Sequence, residues 1–246
     1  MQKIRCMKKL LKTVNETLDN YCSYNIECIL YTLKEELEIE INTLNNYEIN
    51  KNKAILLSNE TKKIQIGCGK NLLNDYINID LNEQCDVYWD IRKGLPFENE
   101  SLNEIFSEHV FEHMDYPISA NKFLSESYRT LRKEGYIIIG VPDCDYPLKD
   151  IFNNDDSNMK IAKERWYKNR AIVLDTMNTN LDYLNYVMRD QLYDKKYHPH
   201  YWGYNKENLT LLLKKHGFKN IEIWKPDINI INPKRKWGTL YLIARK

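Results

Sequence analysis

The stretch Ser107-Glu108-His109-Val110-Phe111-Glu112-His113 carries more chemistry per residue than any other part of this chain. His109, Glu112 and His113 stand at i, i+3 and i+4, so one helical turn would put two imidazoles and a carboxylate on a single face. That donor set suits a divalent ion. Without an ion the same groups hydrogen bond locally, or an imidazole serves as a general base. Two of the five histidines fall in one tripeptide, His198-Pro199-His200, far along the chain. His200 is the first candidate and His198 the second for a remaining ligand or base. The metal set is therefore His109, Glu112, His113, His200 and His198, and the catalytic set is His109, His113 and His200. Three ligands from one turn and one from a distant segment leave coordination positions open, as a catalytic centre requires.

A second constellation lies upstream. Ile64 and Ile66 alternate with polar neighbours in a short strand pattern that stops at Gly67-Cys68-Gly69, and a second run, Tyr76 to Ile79, ends in Asp80. In an open α/β sheet ligands bind beyond the carboxyl ends of the strands. Glycines there let the backbone approach a ligand, and an acid after the second strand can accept from a ribose diol. A dinucleotide fingerprint would add a third glycine and place its acid about twenty residues on. Leu72 occupies the third position and Asp80 arrives too early for a full intervening helix. The pattern asks for an adenosine-type cofactor without a pyrophosphate. Asp90 closes a third apolar run and can accept from an exocyclic amine or cap the following turn.

These motifs, IGCG, INIDL, Asp90, Leu95-Pro96-Phe97, EHVFEH and YRTLRKEGYIIIGVPD, occur in order between about Lys63 and Asp143. They resemble class I S-adenosylmethionine (SAM) methyltransferases, in particular the methyltransferase type 11 group and its small bacterial members. The resemblance implies SAM as cofactor, with S-adenosylhomocysteine (SAH) as product, held by Gly67, Cys68, Gly69, Asp80, Leu81, Asp90, Ile91 and Glu108. Asp90 and Ile91 would lie on the adenine side. In similar small-RNA 2′-O-methyltransferases and quinone-pathway O-methyltransferases an ExxEH motif at this position contributes metal ligands. His109 stands where the first Glu would, a softer donor that suits Mn, Co or Zn as well as Mg. The short first helix departs from the larger families, which removes the basis for assigning cofactor contacts from it.

The elements that must position these residues follow from periodicity. Leu10, Leu11, Val14, Leu18 and Tyr21, then Ile26, Ile29, Leu30, Leu33, Leu37, Ile41 and Leu44, recur at helical spacing. They read as two amphipathic helices that pack on the core or form a homodimer seam, with Asn45, Asn46, Asn50 and Asn52 as a polar linker. Residues 121–132 read as a helix stopped at Lys133-Glu134-Gly135 before a buried fifth strand. From Cys144 to about Tyr204 the pattern leaves the core, with helices expected over 159–175 and 181–192. This insertion should lie over the strand ends as an acceptor-binding lid, its Tyr146, Trp166, Tyr167, Arg165, Arg170 and Arg189 available to a polar, phosphorylated acceptor. Asn205 to Gly217 is the last helix, two strands follow, and Pro233-Lys234-Arg235-Lys236 reads as a solvated basic turn.

The expected fold is α/β: a doubly wound, Rossmann-like seven-stranded sheet with its last strand antiparallel. A helical N-terminal extension covers 1–60, the SAM-dependent methyltransferase domain 61–246, and the helical lid insertion 144–204. Net charge is +1 over 246 residues, so no global field favours nucleic acid. Six cysteines without metal spacing, no apolar leader and no membrane-length run point to a reduced, soluble cytoplasmic protein. The resemblance to small bacterial members implies an O-methyltransferase for a small polar acceptor. That acceptor would be a sugar hydroxyl, or a phosphoramidate- or phosphate-type oxygen, of a nucleotide-activated or carrier-linked surface-polysaccharide (capsule) precursor. The alternatives are an RNA 2′-O-methyltransferase-like enzyme, a non-catalytic SAM-fold subunit, and an NAD-dependent sugar enzyme, the last opposed by the absent third glycine.

Overall fold

The computed structural model describes residues 2–20, 23–189 and 199–246. Tyr21, His198 and residues 190–192 of the expected lid helix lie outside them. The chain opens with α1 (Gln2–Leu18) and α2 (Tyr24–Glu60), and the core strands are β1 (Lys63–Ile66), β2 (Ile77–Asp80), β3 (Val87–Tyr88) and β4 (Leu102–Glu108). Next come α3 (Ile118–Thr130), β5 (Leu131–Pro142) and four short helices, α4 (Asp145–Asn153), α5 (Ser157–Arg165), α6 (Ala171–Thr176) and α7 (Asn180–Arg189). The chain closes with α8 (Lys206–Lys215), β6 (Lys219–Ile223) and β7 (Thr239–Arg245).

The seven strands form one sheet in the order β3-β2-β1-β4-β5-β7-β6, parallel except for β7, which runs antiparallel to β5 and β6. The order reverses between β1 and β4, the place where an open α/β sheet leaves a crevice at its carboxyl edge. Period-two alternation separates the faces cleanly. Ile64, Ile66, Ile77, Ile79, Ile105, Ile137, Ile139, Leu240 and Leu242 join the main core beneath residues of α2, α3 and α8. Phe106, Ile138 and Tyr241 point the other way, against Leu73, Tyr76 and Ile231 from loops. Burying each aliphatic side chain contributes roughly 1.5–3 kcal/mol, which fixes the register because a one-residue slip would exchange the faces.

Several boundaries differ from the sequence reading for identifiable reasons. Asn45 to Asn52 do not form a linker, because α2 runs on to Glu60. Ala54 enters the core and the Tyr47 ring lies 5.0 Å from Trp89, so packing overrides the small helix cost of asparagine. α3 stops at Thr130 and β5 begins at Leu131, five residues before the expected strand start at Tyr136. Glu134, not Gly135, takes the positive φ there. The expected helix over 159–175 is two, broken between Arg165 and Ala171, and α4 was not anticipated. α8 follows expectation, with an Asn205–Asn208 capping box, Leu209, Leu212 and Leu213 buried, and Gly217 at φ +92°.

Candidate active site

Two cavities open at the carboxyl edge of the sheet and share a wall. The first, about 250 Å³, is lined by Gly67, Asp80, Leu81, Asp90 and Ile91 together with Ile79, Trp89, Arg92, His109, Val110, His113 and Met114. The second, about 340 Å³, lies toward the lid and is lined by His109, His113, His200, Arg165, Trp166, Tyr167, Arg170, Lys234 and Arg235, among others. His109 and His113 line both.

The first cavity is built by the glycine turn after β1. Gly67 has φ +67° and Gly69 φ +53°, conformations glycine adopts without a side-chain clash. At Gly67 an added Cβ would also run into Val110 Cγ2, whereas at Gly69 it would meet open space. Asp80 Oδ2 accepts from the Gly69 N–H at 2.8 Å and Oδ1 from Leu81 N–H at 2.6 Å, so the acid braces the turn and still borders the cavity. Asp90 is buried. It caps the next 3₁₀ turn through Arg92 N–H at 3.0 Å, and it lines the cavity. Arg92 grips Asp90 through Nε at 2.9 Å and Glu36 of α2 through both terminal nitrogens at 2.8 and 3.0 Å. The N-terminal extension is thereby tied to the cavity rim.

Three residues of the expected cofactor set, Cys68, Gly69 and Glu108, are not among those that line this cavity. Cys68 is buried behind the turn, and burial with the nearby Asp80 carboxylate pushes its thiol up to about 12. Glu108 points into the loop-covered side of the sheet, where Tyr241 Oη donates to it at 2.6 Å and Asn232 N–H at 3.2 Å. Strand alternation explains Glu108, because it follows the inward Ser107 at the end of β4.

The shared wall departs from the expected helical face. Only Phe111–His113 form a 3₁₀ turn, and His109 precedes it with φ +55°. A left-handed non-glycine residue costs about 1 kcal/mol or more, and here it is held by His109 N–H donating to Gly140 O at 2.8 Å. The kink turns His109 Nδ1 to within 3.3 Å of Glu112 Oε1. His200 Nε2 lies 3.9 Å and His113 Nε2 4.0 Å from the same oxygen. His200 reaches it because its own N–H donates to Arg189 O at 3.0 Å and Tyr201 N–H donates to Glu112 O at 2.8 Å.

The protonation of two rings follows from their other partners. His200 Nδ1 is 2.9 Å from Val187 O, which can only accept, so Nδ1 carries the proton and Nε2 turns its lone pair toward Glu112. Thr239 Oγ1 donates to Arg235 O at 2.5 Å and so accepts from His109 Nε2 at 2.8 Å. His109 therefore presents Nδ1 to the carboxylate. Glu112 is 1% exposed, and neither carboxylate oxygen has a well-formed hydrogen bond. Burial works against its charge, and the rings, His109 first and then His113 and His200, outweigh it and hold the carboxyl down to about 2 only when they are protonated. Lone pairs converging on an orphaned buried carboxylate are stable if the rings are imidazolium or if a cation lies among them. Glu112, His113 and His200 have ligand atoms within 4.8 Å of one another, so the residues present fit a divalent ion.

Of the lid residues expected to face the acceptor, Arg165, Trp166, Tyr167 and Arg170 line the second cavity. Tyr146 instead packs on Trp237 at 5.1 Å, and Arg189 meets the site through its carbonyl, which accepts from His200 N–H. The basic turn, read as solvated, is part of the cavity through Lys234 and Arg235, and Asn232 joins them. Arg92, Val110 and Met114 in the first cavity were likewise not anticipated. The turn had a usable signal: a final strand antiparallel to β5 must start at the carboxyl end of β5, and Thr239 pairs with Pro142.

Residues 64–139 match the model of the family described as Methyltransferase domain. Similar solved structures include a SAM-dependent methyltransferase from Thermotoga maritima, 16% identical over 85% of this chain and 99% of that one, with a TM-score of 0.44. One from Archaeoglobus fulgidus is 18% identical over 85% and 94%, TM-score 0.43, and one from Methanosarcina mazei is 13% identical over 78% and 96%, TM-score 0.47. No curated protein matches the chain.

Proposed function

We propose that this class I SAM-dependent methyltransferase moves the methyl group to an oxygen of a small polar acceptor bound in the basic cavity beneath the lid. The observation that carries the reading is the shared wall: His109 and His113 border the cavity with the ribose-type acid Asp80 and the cavity with the cationic rim alike. SAM would lie along Gly67 to Gly69, with Asp80 on its ribose and Asp90 on the adenine side, and its methyl directed at that wall. The acceptor oxygen attacks the methyl carbon, the carbon–sulfur bond breaks with its electron pair going to sulfur, and SAH leaves. The sulfonium is already activated, so alignment in line with sulfur is the larger contribution.

A hydroxyl must also lose a proton. His113 and His109 stand where an imidazole can take it, and Glu112 behind them stabilises the imidazolium that results. Glu112, His113 and His200, with His109 beside them, would hold a divalent ion such as Mn, Co or Mg; when bound, it would supply charge neutralisation and lower the pKa of an acceptor oxygen. The acceptor class drawn from the resemblance is a sugar hydroxyl, or a phosphoramidate- or phosphate-type oxygen, of a nucleotide-activated or carrier-linked surface-polysaccharide precursor.

Screening such precursors for SAH release, with and without added Mn, tests the reading. Methylation of an oxygen that is abolished in His113→Ala with SAM affinity retained is the expected result. Transfer to nitrogen only, or full activity in His109→Ala and His113→Ala alike, would overturn it.

A further inference from the structure

The lid and the last hairpin meet at one point, and the meeting brings cations together. Trp166, just after α5, lies 5.4 Å from Trp237 in an edge contact, and Gly238, at φ +75°, passes so close to the Trp166 ring that a Cβ there would collide with it. This pins Arg165 of the lid and Lys234 and Arg235 of the hairpin turn around the same cavity. Arg165 and Lys234 are exposed at its mouth and have no carboxylate partner among the described residues. Arg235 is half-buried, held 3.7 Å from Glu108 and donating to Glu108 O at 3.2 Å. No Asp or Glu lines this cavity among the described residues, whereas Asp80 and Asp90 both line its neighbour.

We infer that the mouth of the basic cavity is a phosphate-binding subsite, and that the acceptor is a phosphate or diphosphate ester whose methylated oxygen lies deeper, at the histidine wall. The inference rests on the methyl-transfer reading of that cavity. Cations gathered in a concavity raise its potential and repel one another, an arrangement an anion relieves. A single carboxylate would need only one guanidinium fork. Cations from two separate elements match a phosphate ester, which carries about −1.5 to −2 near neutral pH, and arginine forks pair with its oxygens in parallel. The mouth thus selects the charged end of the acceptor, and the reacting end is left to the imidazoles.

The test is calorimetric titration of inorganic pyrophosphate, and separately of phosphate, into SAH-loaded protein stripped with EDTA, at constant ionic strength. Pyrophosphate is expected to bind once per chain, at least tenfold more weakly in Lys234→Gln/Arg235→Gln, and more weakly in Arg165→Gln, with SAH affinity unchanged in each. Lys234→Gln alone, on an exposed side chain, keeps the test valid should loss of the Arg235–Glu108 contact unfold the double variant. Undiminished binding in these variants overturns the inference while leaving methyl transfer standing. Binding that appears only with added Mn and vanishes in His200→Gln assigns the anion to the metal and overturns it too. Failure of the wild-type protein to bind SAH at all removes the methyl-transfer reading, and the subsite with it.

Discussion

His109 Nε2 and Thr239 Oγ1, 130 residues apart in sequence, lie 2.8 Å apart, the one just past the end of β4 and the other at the start of β7, on either side of β5. Because the Thr239 hydroxyl donates to Arg235 O, this contact sets which nitrogen of His109 faces Glu112. Thr239→Val keeps the shape and removes the acceptor, leaving His109 to shift its proton to Nδ1 or bury an unsatisfied N–H at a cost of about 1–3 kcal/mol. Turnover should fall roughly tenfold or more with SAM affinity intact, and Thr239→Ser should restore it. Nitrogen chemical shifts of the His109 ring report the tautomer directly. An unchanged tautomer with unchanged turnover would show that the contact is only structural.

At the cofactor turn, Gly67→Ala and Gly69→Ala should differ although both residues have positive φ. The first drives a methyl into Val110, next to the shared wall, and the second meets nothing. SAH affinity should drop far more for Gly67→Ala. Asp80→Ala removes both the proposed ribose acceptor and the brace on Gly69 N–H, so a loss of at least tenfold, about 1.4 kcal/mol, is expected by calorimetry. Equal affinities for the two alanine variants would place the cofactor off this turn.

Cys68 tests the burial of the same turn. Its thiol is pushed up to about 12 by burial and by Asp80, so at pH 8 it stays protonated and a poor nucleophile. Cys6, exposed on α1, should alkylate first. Mass spectrometry after a short iodoacetamide pulse distinguishes them, and rapid labelling of Cys68 in the folded protein would contradict the packing described.

The sheet was legible because its signals are local: alternation in Ile64–Ile66, a continuous apolar run over Ile137–Ile139, glycine at Gly67 and Gly69, acids at Asp80 and Asp90. What escaped depends on contacts between distant segments. The continuation of α2 through Asn45 to Asn52 is decided by Ala54 and by Tyr47 on Trp89, which no window of sequence contains. Helical spacing correctly grouped His109, Glu112 and His113 but for the wrong reason, since a left-handed kink at His109 brings them together. The direction of Glu108 was not legible because a strand's last residues alternate faces, and its side was settled by which neighbour faced the core.

The stripe on α2 changes character along its length. Leu37 and Ile41 are buried, whereas Ile26, Ile29 and Leu33 are 50%, 67% and 37% exposed beside α1. We expect these to form a seam with a second copy, since three apolar residues at helical spacing favour a helical partner. Ile29→Glu should convert a dimer to a monomer by light scattering without changing SAH affinity. A wild-type monomer at micromolar concentration would remove the seam.

The metal prediction follows from protons already assigned. If Val187 O holds the His200 Nδ1 proton and Thr239 holds that of His109 Nε2, the lone pairs of His109 Nδ1 and His200 Nε2 lie 3.3 and 3.9 Å from Glu112 Oε1. Protein stripped with EDTA should then take up one divalent ion per chain. Glu112→Gln should weaken its affinity at least tenfold, and His200→Gln similarly, because the first removes the charge of the oxygen donor and the second the imidazole nitrogen. SAH affinity should be unaffected, as the contacts proposed for it lie on the turn after β1 and at the end of β2. Methyl transfer should fall with metal removal and return with Mn or Co. Full transfer by stripped enzyme, with no ion bound in titration, would mean that Glu112 is neutralised by imidazolium rings alone. The wall would then work by proton transfer, and His113 would be the residue whose replacement abolishes turnover.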